Sequence, residues 1–561
     1  MPGLPRLGLP LALQGGGMST ATAARTCTWG TPAGPCGAGA QPYMDGYRCR
    51  DHSPVARLAR TAAAREAARM DPTPEQAEVI AAYGDGIDLT VQAGAGCGKS
   101  TTLKEVARSD RRARMLYIAY NKPIAVDAAK SFPSNATCKT GHSLAYDPRH
   151  QARLGIPYQT AHVAAQALGV REILARDLGE DGRSTEAVMA DDARVVAMTS
   201  KKVMRFALDT VKRWCYSADP EITAAHIPRV DNLTRPDTRT AIARLGLPVA
   251  RAAWADLMQP DGVLRMEHDH YMKAWALGRP RLAADVVLLD EAQDTNDVLT
   301  SVLLDQDHAQ RIAVGDSAQA IYAWRGANDA LAKFPGDTLT LSQSFRFGVA
   351  VAEQANVWLN LISAPLRLVG HEPTASVVGP VDRADAILCR TNAGAVGVVI
   401  EALAAGRRVA LVGGGGAIKS LAYAALDLLD GKPTDHPDLM GFTNWAQLQE
   451  YAAEEAGSLR VLVKLIDDFG AEAMIAAAEA LVTEQRADLV VSTAHKAKGR
   501  EWSRVVLHGD FTPPRPDPST GLRVLRREYA RLAYVSVTRA RHALDCAALD
   551  WVHDGSIVIT D

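Results

Sequence analysis

The stretch IDLTVQAGAGCGKSTTLKEVAR, residues 87–108, contains three local patterns in one continuous segment. Its first seven residues predict a buried β-strand, and STTLKEVAR (100–108) predicts a helix. A glycine-rich loop, ending in a lysine, joins the two. The backbone N–H groups of such a loop, at the start of a helix, form a preformed binding site for phosphate groups. The segment therefore predicts a parallel α/β sheet with a phosphate-binding loop at the end of one strand.

The residues of this loop have distinct predicted roles. Lys99 would place a positive charge near the β- and γ-phosphates of ATP, and Ser100 would offer its hydroxyl to Mg²⁺. The strict form of the motif has glycine where this chain has Ala93. Cys97 is interpreted as a small residue that fills space within the loop. The predicted ATP-binding loop comprises Ala93, Gly94, Ala95, Gly96, Cys97, Gly98, Lys99, Ser100 and Thr101.

A second apolar strand ends in two adjacent carboxylates. In VVLLDEAQD (286–294), four apolar residues precede Asp290 and Glu291. Asp290, at the carboxyl end of the strand, is predicted to hold Mg²⁺ through water. Glu291 is predicted to orient or deprotonate an attacking water. A small-molecule kinase does not need such a glutamate, so the loop and the carboxylates together predict a nucleoside triphosphate hydrolase.

Composition and charge set wider limits. The chain has 561 residues, 47% hydrophobic and 22% charged, an ordinary mix for a globular protein of several domains. The net charge of −2 offers no global basic field, so a nucleic-acid partner would need a locally basic groove. We find no run of about 18 apolar residues and no convincing signal peptide, and therefore expect no membrane partner. Scattered cysteines favour a reducing, cytoplasmic location.

Short apolar strands alternate with helices in two separate series, which predicts an α/β fold with two parallel-sheet cores. Each core is predicted to carry a helical insertion, and residues 1–70 to form an N-terminal extension. The predicted first core comprises residues 71–144 and 280–344 with its insertion at 145–279, and the second comprises 345–419 and 486–561 with its insertion at 420–485.

The N-terminal extension contains Cys27, Cys36, Cys49 and His52. Three thiols and one imidazole are a plausible tetrahedral ligand set for a structural Zn²⁺ ion. The segment also has few large apolar residues, so a bound metal would help it to fold. The alternative is that these are free thiols in a disordered segment, because the spacing is less regular than in paired C-x-x-C motifs.

Further motifs follow the carboxylates in a fixed order. They are VGDSAQAIYAWRGA (314–327), LSQSFRF (341–347), STAHKAKGREW (492–502) and EYARLAYVSVTRAR (528–541). In this order the set resembles superfamily 1 helicases of the UvrD/Rep type, over about residues 71–550. It is most similar to the F-box DNA helicase group, although no F-box is apparent. The resemblance implies two RecA-like cores of the P-loop NTPase class.

The resemblance also implies roles around the nucleotide. Gln76 would recognise the adenine edge, and Phe345 would stack on the adenine ring. Arg346 and Arg539 would stabilise negative charge on the γ-phosphate during hydrolysis. Gln319 would sense the γ-phosphate, and Glu501 would contact the nucleotide sugar.

Another group of residues matches the DNA-contacting segments of these helicases. Aromatic side chains can stack on single-stranded bases irrespective of base identity, although Tyr322 and Trp324 could instead be core aromatics. Polar side chains at loop ends suit contacts with the phosphate backbone. The predicted DNA-binding residues are Tyr120, Asn121, Thr140, His142, Tyr322, Trp324, Arg325, Thr493, His495 and Lys498.

The sequence thus predicts an ATP-dependent DNA helicase that moves along single-stranded DNA, in the 3′→5′ direction by resemblance. Its expected cofactors are ATP and Mg²⁺, with structural Zn²⁺ conditional on the N-terminal site. The expected partners are single-stranded DNA, duplex junctions and proteins of recombination, repair or replication, with a nucleoid-associated location. Two alternatives remain: a translocase that strips proteins from DNA without unwinding, and an RNA-directed helicase. The short second insertion makes unwinding less secure than translocation.

Overall fold

We analysed a computed structural model of the chain. The residues described are 71–157, 159–174, 196–228, 236–322, 329–434, 436, 439, 442–454, 458–554 and 557–560, together with four short strands between residues 30 and 48.

The chain divides into two compact units, Met1–Pro72 and Thr73–Asp561. The first unit contains two antiparallel hairpins, Gly30–Thr31 with Gly34–Pro35 and Gln41–Tyr43 with Gly46–Arg48. The predicted zinc ligands all lie outside the described residues, so zinc binding stays a prediction. These are Cys27, Cys36, Cys49 and His52.

The second unit contains two six-stranded sheets, and every strand pairing within them is parallel. The strands of the first sheet are β1 (Leu89–Ala93), β2 (Met115–Ala119), β3 (Ala136–Thr140), β4 (Val286–Leu289), β5 (Gln310–Gly315) and β6 (Asp337–Leu341). Their spatial order is β6-β1-β5-β4-β2-β3. The strand β1, which leads into the phosphate loop, therefore lies in the interior of the sheet, and β5 lies between it and β4.

The second sheet is built by the C-terminal part of the chain. Its strands are β7 (Val377–Val378), β8 (Ala386–Cys389), β9 (Val409–Leu411), β10 (Leu489–Thr493), β11 (Trp502–Leu507) and β12 (Ala540–Asp545). Their spatial order is β7-β12-β11-β8-β10-β9. Two parallel sheets confirm the predicted α/β class. A short parallel pair, Arg523–Arg526 with Ile557–Thr560, was not predicted.

Helices surround both sheets, because a parallel sheet must be covered on its two faces. Those nearest the first sheet are Pro74–Tyr83, Lys99–Ser109, Lys122–Ser131, Gly141–Ala145 and Asp297–Leu304. Those belonging to the second are Val349–Leu361, Asn392–Ala404, Ala494–Ala497 and Arg527–Val537.

Two further helical groups each have a buried apolar cluster of their own. The first lies between β3 and β4 and also contains a small hairpin, Ile173–Leu174 with Val196–Met198. Its main helices are Gln151–Leu154, Ala161–Ala167, Ser200–Tyr216, Pro236–Met258 and His268–Leu277. The second lies between β9 and β10 and contains Gly416–Leu429, Trp445–Glu454, Ser458–Phe469 and Ala471–Glu479.

One apolar cluster extends across both sheets. It contains Val314 from the first sheet and Leu388 from the second, and Phe347 from the segment after β6. It also contains Leu103 from the helix Lys99–Ser109 and Tyr534 from the helix Arg527–Val537. All five side chains are almost completely excluded from solvent. Because buried apolar contacts of this kind are the main favourable term in folding, they hold the ends of the two sheets together around the phosphate loop. No helix among the described residues has the length and apolar character needed to cross a membrane.

The sequence TPEQ (73–76) predicts the start of a helix, with Thr73 as its cap and Pro74 in its first turn, and the helix Pro74–Tyr83 begins in this way. Thr73 Oγ1 accepts a hydrogen bond from the Gln76 N–H at 3.2 Å, and Gln76 Oε1 accepts one from the Thr73 N–H at 3.1 Å. This reciprocal capping box satisfies two N–H groups that the helix itself cannot bond. Pro74 occupies the first turn, where its missing N–H costs nothing.

We expect Thr73→Ala to destabilise this helix by about 1 kcal/mol, because the cap hydrogen bond is lost. Amide hydrogen exchange within Pro74–Tyr83 should then accelerate by about fivefold. Thr73→Ser, which keeps a hydroxyl, should show wild-type exchange. Equal acceleration in both variants would contradict a role for the cap.

Candidate active site

Two positions of the glycine-rich loop have a backbone conformation and close neighbours that suit glycine. Gly96 and Gly98 adopt φ angles of +77° and +76°, a left-handed conformation that favours glycine. A Cβ atom at Gly96 would lie 2.6 Å from Ser344 Oγ and 2.7 Å from Arg346 Cβ. One at Gly98 would lie 2.9 Å from Gln76 Nε2. Side chains at these positions would therefore collide with the residues packed against the loop, so glycine is needed here for these residues to approach a backbone whose N–H groups could bind phosphate.

The predicted magnesium ligands meet beside this loop. Ser100 Oγ donates a hydrogen bond to Asp290 Oδ2 at 2.6 Å, which links the loop helix to the end of β4. The Tyr117 hydroxyl, from β2, donates to the same oxygen at 2.6 Å. Hydroxyl and carboxylate oxygens are the donor types that Mg²⁺ prefers, so these side chains fit a magnesium site.

Lys99 and Glu291 face each other across the loop, with Lys99 Nζ 3.6 Å from Glu291 Oε1. Burial opposes charge on Lys99, but the carboxylates around it, led by Glu291, outweigh burial and raise its pKa. Burial also opposes ionisation of Glu291, yet the charges of Lys99 and Lys498 hold its pKa below the ordinary value. Glu291 is therefore a carboxylate at neutral pH, as a water-orienting base must be.

Glu291 has an unusual backbone conformation for a residue with a side chain. Its φ and ψ are 52° and 45°, in the left-handed region, which is rare outside glycine, asparagine and aspartate. The buried Gln293 amide donates to Glu291 Oε2 at 2.7 Å and accepts from the Asp316 N–H at 2.9 Å. Gln293 thus connects the two strand ends β4 and β5. Strained residues of this kind persist where the surroundings hold them, and they are concentrated at active sites.

The two predicted arginines come from different parts of the chain and lie near the loop. Arg346 follows β6 and packs against Gly96, while its Nε donates to Glu501 at 2.6 Å. Arg539, at the start of β12, is 1% exposed and donates through Nη2 to Gln319 Oε1 at 3.3 Å. Burial and the charge of Arg346 lower the pKa of Arg539 to about 9, so the Arg539 guanidinium group is still charged at neutral pH.

The residues predicted to hold the base and sugar lie close to Gly96, Gly98 and Arg346. The Phe345 N–H donates to the Gly96 carbonyl at 2.9 Å. The Phe345 ring approaches the Gly98 Cβ position at 3.9 Å and lies 5.6 Å from the His371 ring. Gln76 uses its amide oxygen in the helix cap and directs its amide nitrogen at Gly98. Glu501 contacts Arg346 and Arg541, so it would have to change partners to bind a sugar.

Two buried contacts of this site involve Tyr534, which lies within the motif EYARLAYVSVTRAR (528–541) but was assigned no role by it. The Ala95 N–H donates to the Tyr534 hydroxyl at 3.2 Å, and this hydroxyl donates to Asp316 Oδ2 at 2.9 Å. Tyr534 comes from the helix Arg527–Val537, so it ties the second sheet's helix to the phosphate loop. Only its burial on an apolar helix face could have been read from the sequence, and that pattern predicts core packing.

Lys498, a predicted DNA contact, is buried and paired in this structure. Its Nζ lies 2.5 Å from Asp294 Oδ2 and donates to the Gln319 carbonyl at 2.5 Å, and its side chain is 8% exposed. Burial raises the pKa of Asp294 to about 6 while Lys498 opposes that rise. In this arrangement Lys498 connects the second sheet to the residues after β4 and β5.

The other predicted DNA-binding residues fall into two groups. Tyr120 and Tyr322 present stacked rings with centroids 6.3 Å apart, and the Tyr322 hydroxyl donates to the His495 carbonyl at 3.0 Å. His142 Nε2 lies 3.0 Å from Asp269. The second group caps helices, and it contains Asn121, Thr140 and Thr493. Trp324 and Arg325 lie outside the described residues.

Within the described residues, one group of side chains has the composition of a metal site. Donor atoms of Cys389, His508 and Asp510 lie within 4.8 Å of one another. The Asp510 carboxylate already accepts hydrogen bonds from the Arg390 and Thr391 N–H groups and the Thr391 hydroxyl. Thr391 caps the helix Asn392–Ala404 through its own hydroxyl oxygen, which accepts from the Gly394 N–H, so the Asp510 carboxylate holds this capping residue in place.

Comparisons with known proteins agree with this geometry. The UvrD/REP helicase N-terminal domain family matches residues 263–334, which contain β4, β5 and the carboxylates. F-box DNA helicase protein 1 from Schizosaccharomyces pombe is 26% identical over 502 residues, covering 81% of this chain and 55% of that protein. F-box DNA helicase 1 from Gallus gallus is 25% identical over 498 residues, covering 81% and 47% respectively. The chain thus spans about half the length of these relatives. In its ordered motifs, its two parallel sheets and these matches, the chain is similar to the UvrD/Rep-type helicases of superfamily 1.

Proposed function

We propose that the chain is an ATP-dependent DNA helicase or translocase that couples ATP hydrolysis to movement along single-stranded DNA. The observation that carries this proposal is the convergence of charges at the phosphate loop. Lys99 lies on the loop and Glu291 follows β4, while Arg346 packs against Gly96 of the loop and Arg539, from the second sheet, contacts Gln319. Such an arrangement surrounds a triphosphate with positive charge and leaves one carboxylate for the attacking water.

Each of these groups has a separate task in hydrolysis. Backbone N–H groups of the loop bind the phosphates, and Lys99 adds a charge beside them. Glu291 accepts the proton of the attacking water, since it is ionised and Gln293 orients its carboxylate. Arg346 and Arg539 stabilise the negative charge that develops on the transferred phosphoryl group.

Ser100 and Asp290 would hold Mg²⁺, with Asp290 acting through water. When bound, the ion supplies charge neutralisation between the phosphates. The buried position of Asp290, 3% exposed, and its hydrogen bond to Ser100 fit that task.

A short series of contacts connects Arg539, at the predicted γ-phosphate position, to the candidate DNA surface formed by Tyr120 and Tyr322. Gln319 contacts Arg539 through its amide oxygen and Lys498 through its carbonyl. Three residues later, Tyr322 stacks beside Tyr120 and contacts the His495 carbonyl. A change of charge at the phosphates can therefore reach the aromatic surface through one segment. We propose that the two sheets alternate their grip on the strand as the cleft closes and opens, with 3′→5′ polarity.

A second candidate is a translocase that strips proteins from DNA without separating strands. The observation that favours it is the small helical group between β9 and β10, four helices within residues 416–479. An RNA-directed motor is the third candidate, because aromatic stacking does not distinguish DNA from RNA.

ATPase measurements with single-stranded DNA, duplex DNA and RNA test the proposal. We expect the largest stimulation with single-stranded DNA. Strand separation and streptavidin displacement, assayed on matched substrates, then discriminate the first two candidates. Equal ATPase rates with and without nucleic acid would contradict a translocating motor, and preferential stimulation by RNA would support the third candidate.

A further inference from the structure

A buried tyrosine hydroxyl lies at the centre of the magnesium ligands. Tyr117 is the third residue of β2, where its side chain is 1% exposed. Its ring packs against Phe132 with centroids 4.5 Å apart, and its hydroxyl donates to Asp290 Oδ2 at 2.6 Å. No sequence motif indicated this contact, and the mechanism above does not use it.

The hydrogen bonds of Asp290 account for most of its acceptor capacity. Oδ2 accepts from both Tyr117 and Ser100, and Oδ1 accepts from the Glu291 N–H at 2.9 Å. A carboxylate oxygen has two lone pairs. Both lone pairs of Oδ2 are therefore occupied, and one lone pair of Oδ1 remains for a further partner.

Core packing does not require this hydroxyl. A phenylalanine would keep the contact with Phe132, and a buried hydroxyl without a partner is costly. The tyrosine is tolerated because its O–H donates to a carboxylate oxygen, which satisfies the buried hydroxyl. The contact therefore acts on the orientation of the Asp290 carboxylate.

We propose that Tyr117 is a positioning residue for magnesium. Its hydroxyl holds Asp290 in one orientation, so that the remaining Oδ1 lone pair is the only acceptor left for a water molecule on the ion. Mg²⁺ demands near-ideal octahedral geometry, so a carboxylate that can rotate would bind its hydration shell less well. The inference rests on the proposed function, since it assumes that Mg²⁺ and a nucleotide bind at this loop.

The test is Tyr117→Phe in the full-length chain, with a fluorescent N-methylanthraniloyl-ADP as probe. Nucleotide binding is titrated with Mg²⁺, and the same probe is titrated in EDTA. We expect the Mg²⁺ concentration at half-saturation to rise by about tenfold, the size of effect for one hydrogen bond to a charged group. Affinity for the probe in EDTA should stay within about twofold, because the loop N–H groups are untouched.

Tyr83→Phe is the matched control. Its hydroxyl also donates to an aspartate, Asp110 Oδ2 at 3.1 Å, but away from the loop. This variant should reproduce the wild-type Mg²⁺ titration. Two outcomes would overturn the inference: a Tyr117→Phe titration that overlays the wild type, or an equal loss of affinity with and without Mg²⁺, which would indicate structural damage. If the wild-type chain binds the probe with no Mg²⁺ dependence, the proposed function itself fails.

Discussion

Replacement of Lys99 by alanine is expected to lower DNA-stimulated ATP hydrolysis by roughly 10²–10³-fold, the usual loss when one preorganised electrostatic group is removed from the transition state. The Lys99 ammonium belongs to the phosphate loop and lies 3.6 Å from the Glu291 carboxylate. Without it, the phosphates lose a charge partner and Glu291 loses the main contribution that keeps its pKa low. The measurement is steady-state ATPase with saturating single-stranded DNA.

Lys130→Ala is a suitable control for this variant. Lys130 is also a lysine on a helix of the first sheet, but its side chain is 69% exposed and contacts only Asp127 among the ion pairs described. It should keep wild-type ATPase. If Lys99→Ala retained DNA-stimulated hydrolysis, the assignment of the nucleotide site to this loop would be wrong.

Arg346→Ala is expected to reduce kcat by about 10³-fold, in the range found for arginines that stabilise phosphoryl transfer. Affinity for ADP should change little, because ADP lacks the γ-phosphate on which this charge acts. Arg346 is well suited to the experiment because its side chain is 18% exposed and its removal leaves no large cavity. Single-turnover hydrolysis and nucleotide binding, measured on the same preparation, separate the two effects.

Arg541→Ala provides the comparison for Arg346. Both arginines pair with Glu501, at 2.6 Å for Arg346 and 3.8 Å for Arg541, but Arg541 is 50% exposed and does not contact the loop. A large loss of kcat in both variants would point to Glu501 as the essential group. A loss confined to Arg346 would support a direct role at the γ-phosphate.

The contacts of Lys498 also connect the predicted ATP site to the predicted DNA surface. The Lys498–Asp294 pair is buried on both sides and lies between Gln319 and Tyr322. A buried ion pair is weak evidence for stability, because desolvation offsets most of its attraction. The pair lies between Gln319, which is predicted to sense the γ-phosphate, and the ring of Tyr322, and this position favours a role in coupling the two sheets.

Local patterns were sufficient for much of the fold. The apolar strands before the loop and before Asp290, the Thr73 cap and the alternation of strands and helices were all readable, and the structure confirms them. These features depend on backbone preferences and on burial over a few neighbouring residues, which a short window of sequence contains. The order of the motifs also indicated the relationship to UvrD/Rep-type helicases.

The sequence by itself determined the chemistry of the loop, the paired carboxylates and the class of fold. Only the tertiary structure decided which distant side chains complete them. Tyr117 is 173 residues from Asp290, and Tyr534 is 439 residues from Ala95. It also showed that Lys498, a predicted DNA contact, forms a buried pair with Asp294. The physical reason is that a hydrogen bond or an ion pair depends on the distance between two side chains in space, and residue spacing along the chain does not fix that distance once strands from remote segments form one sheet.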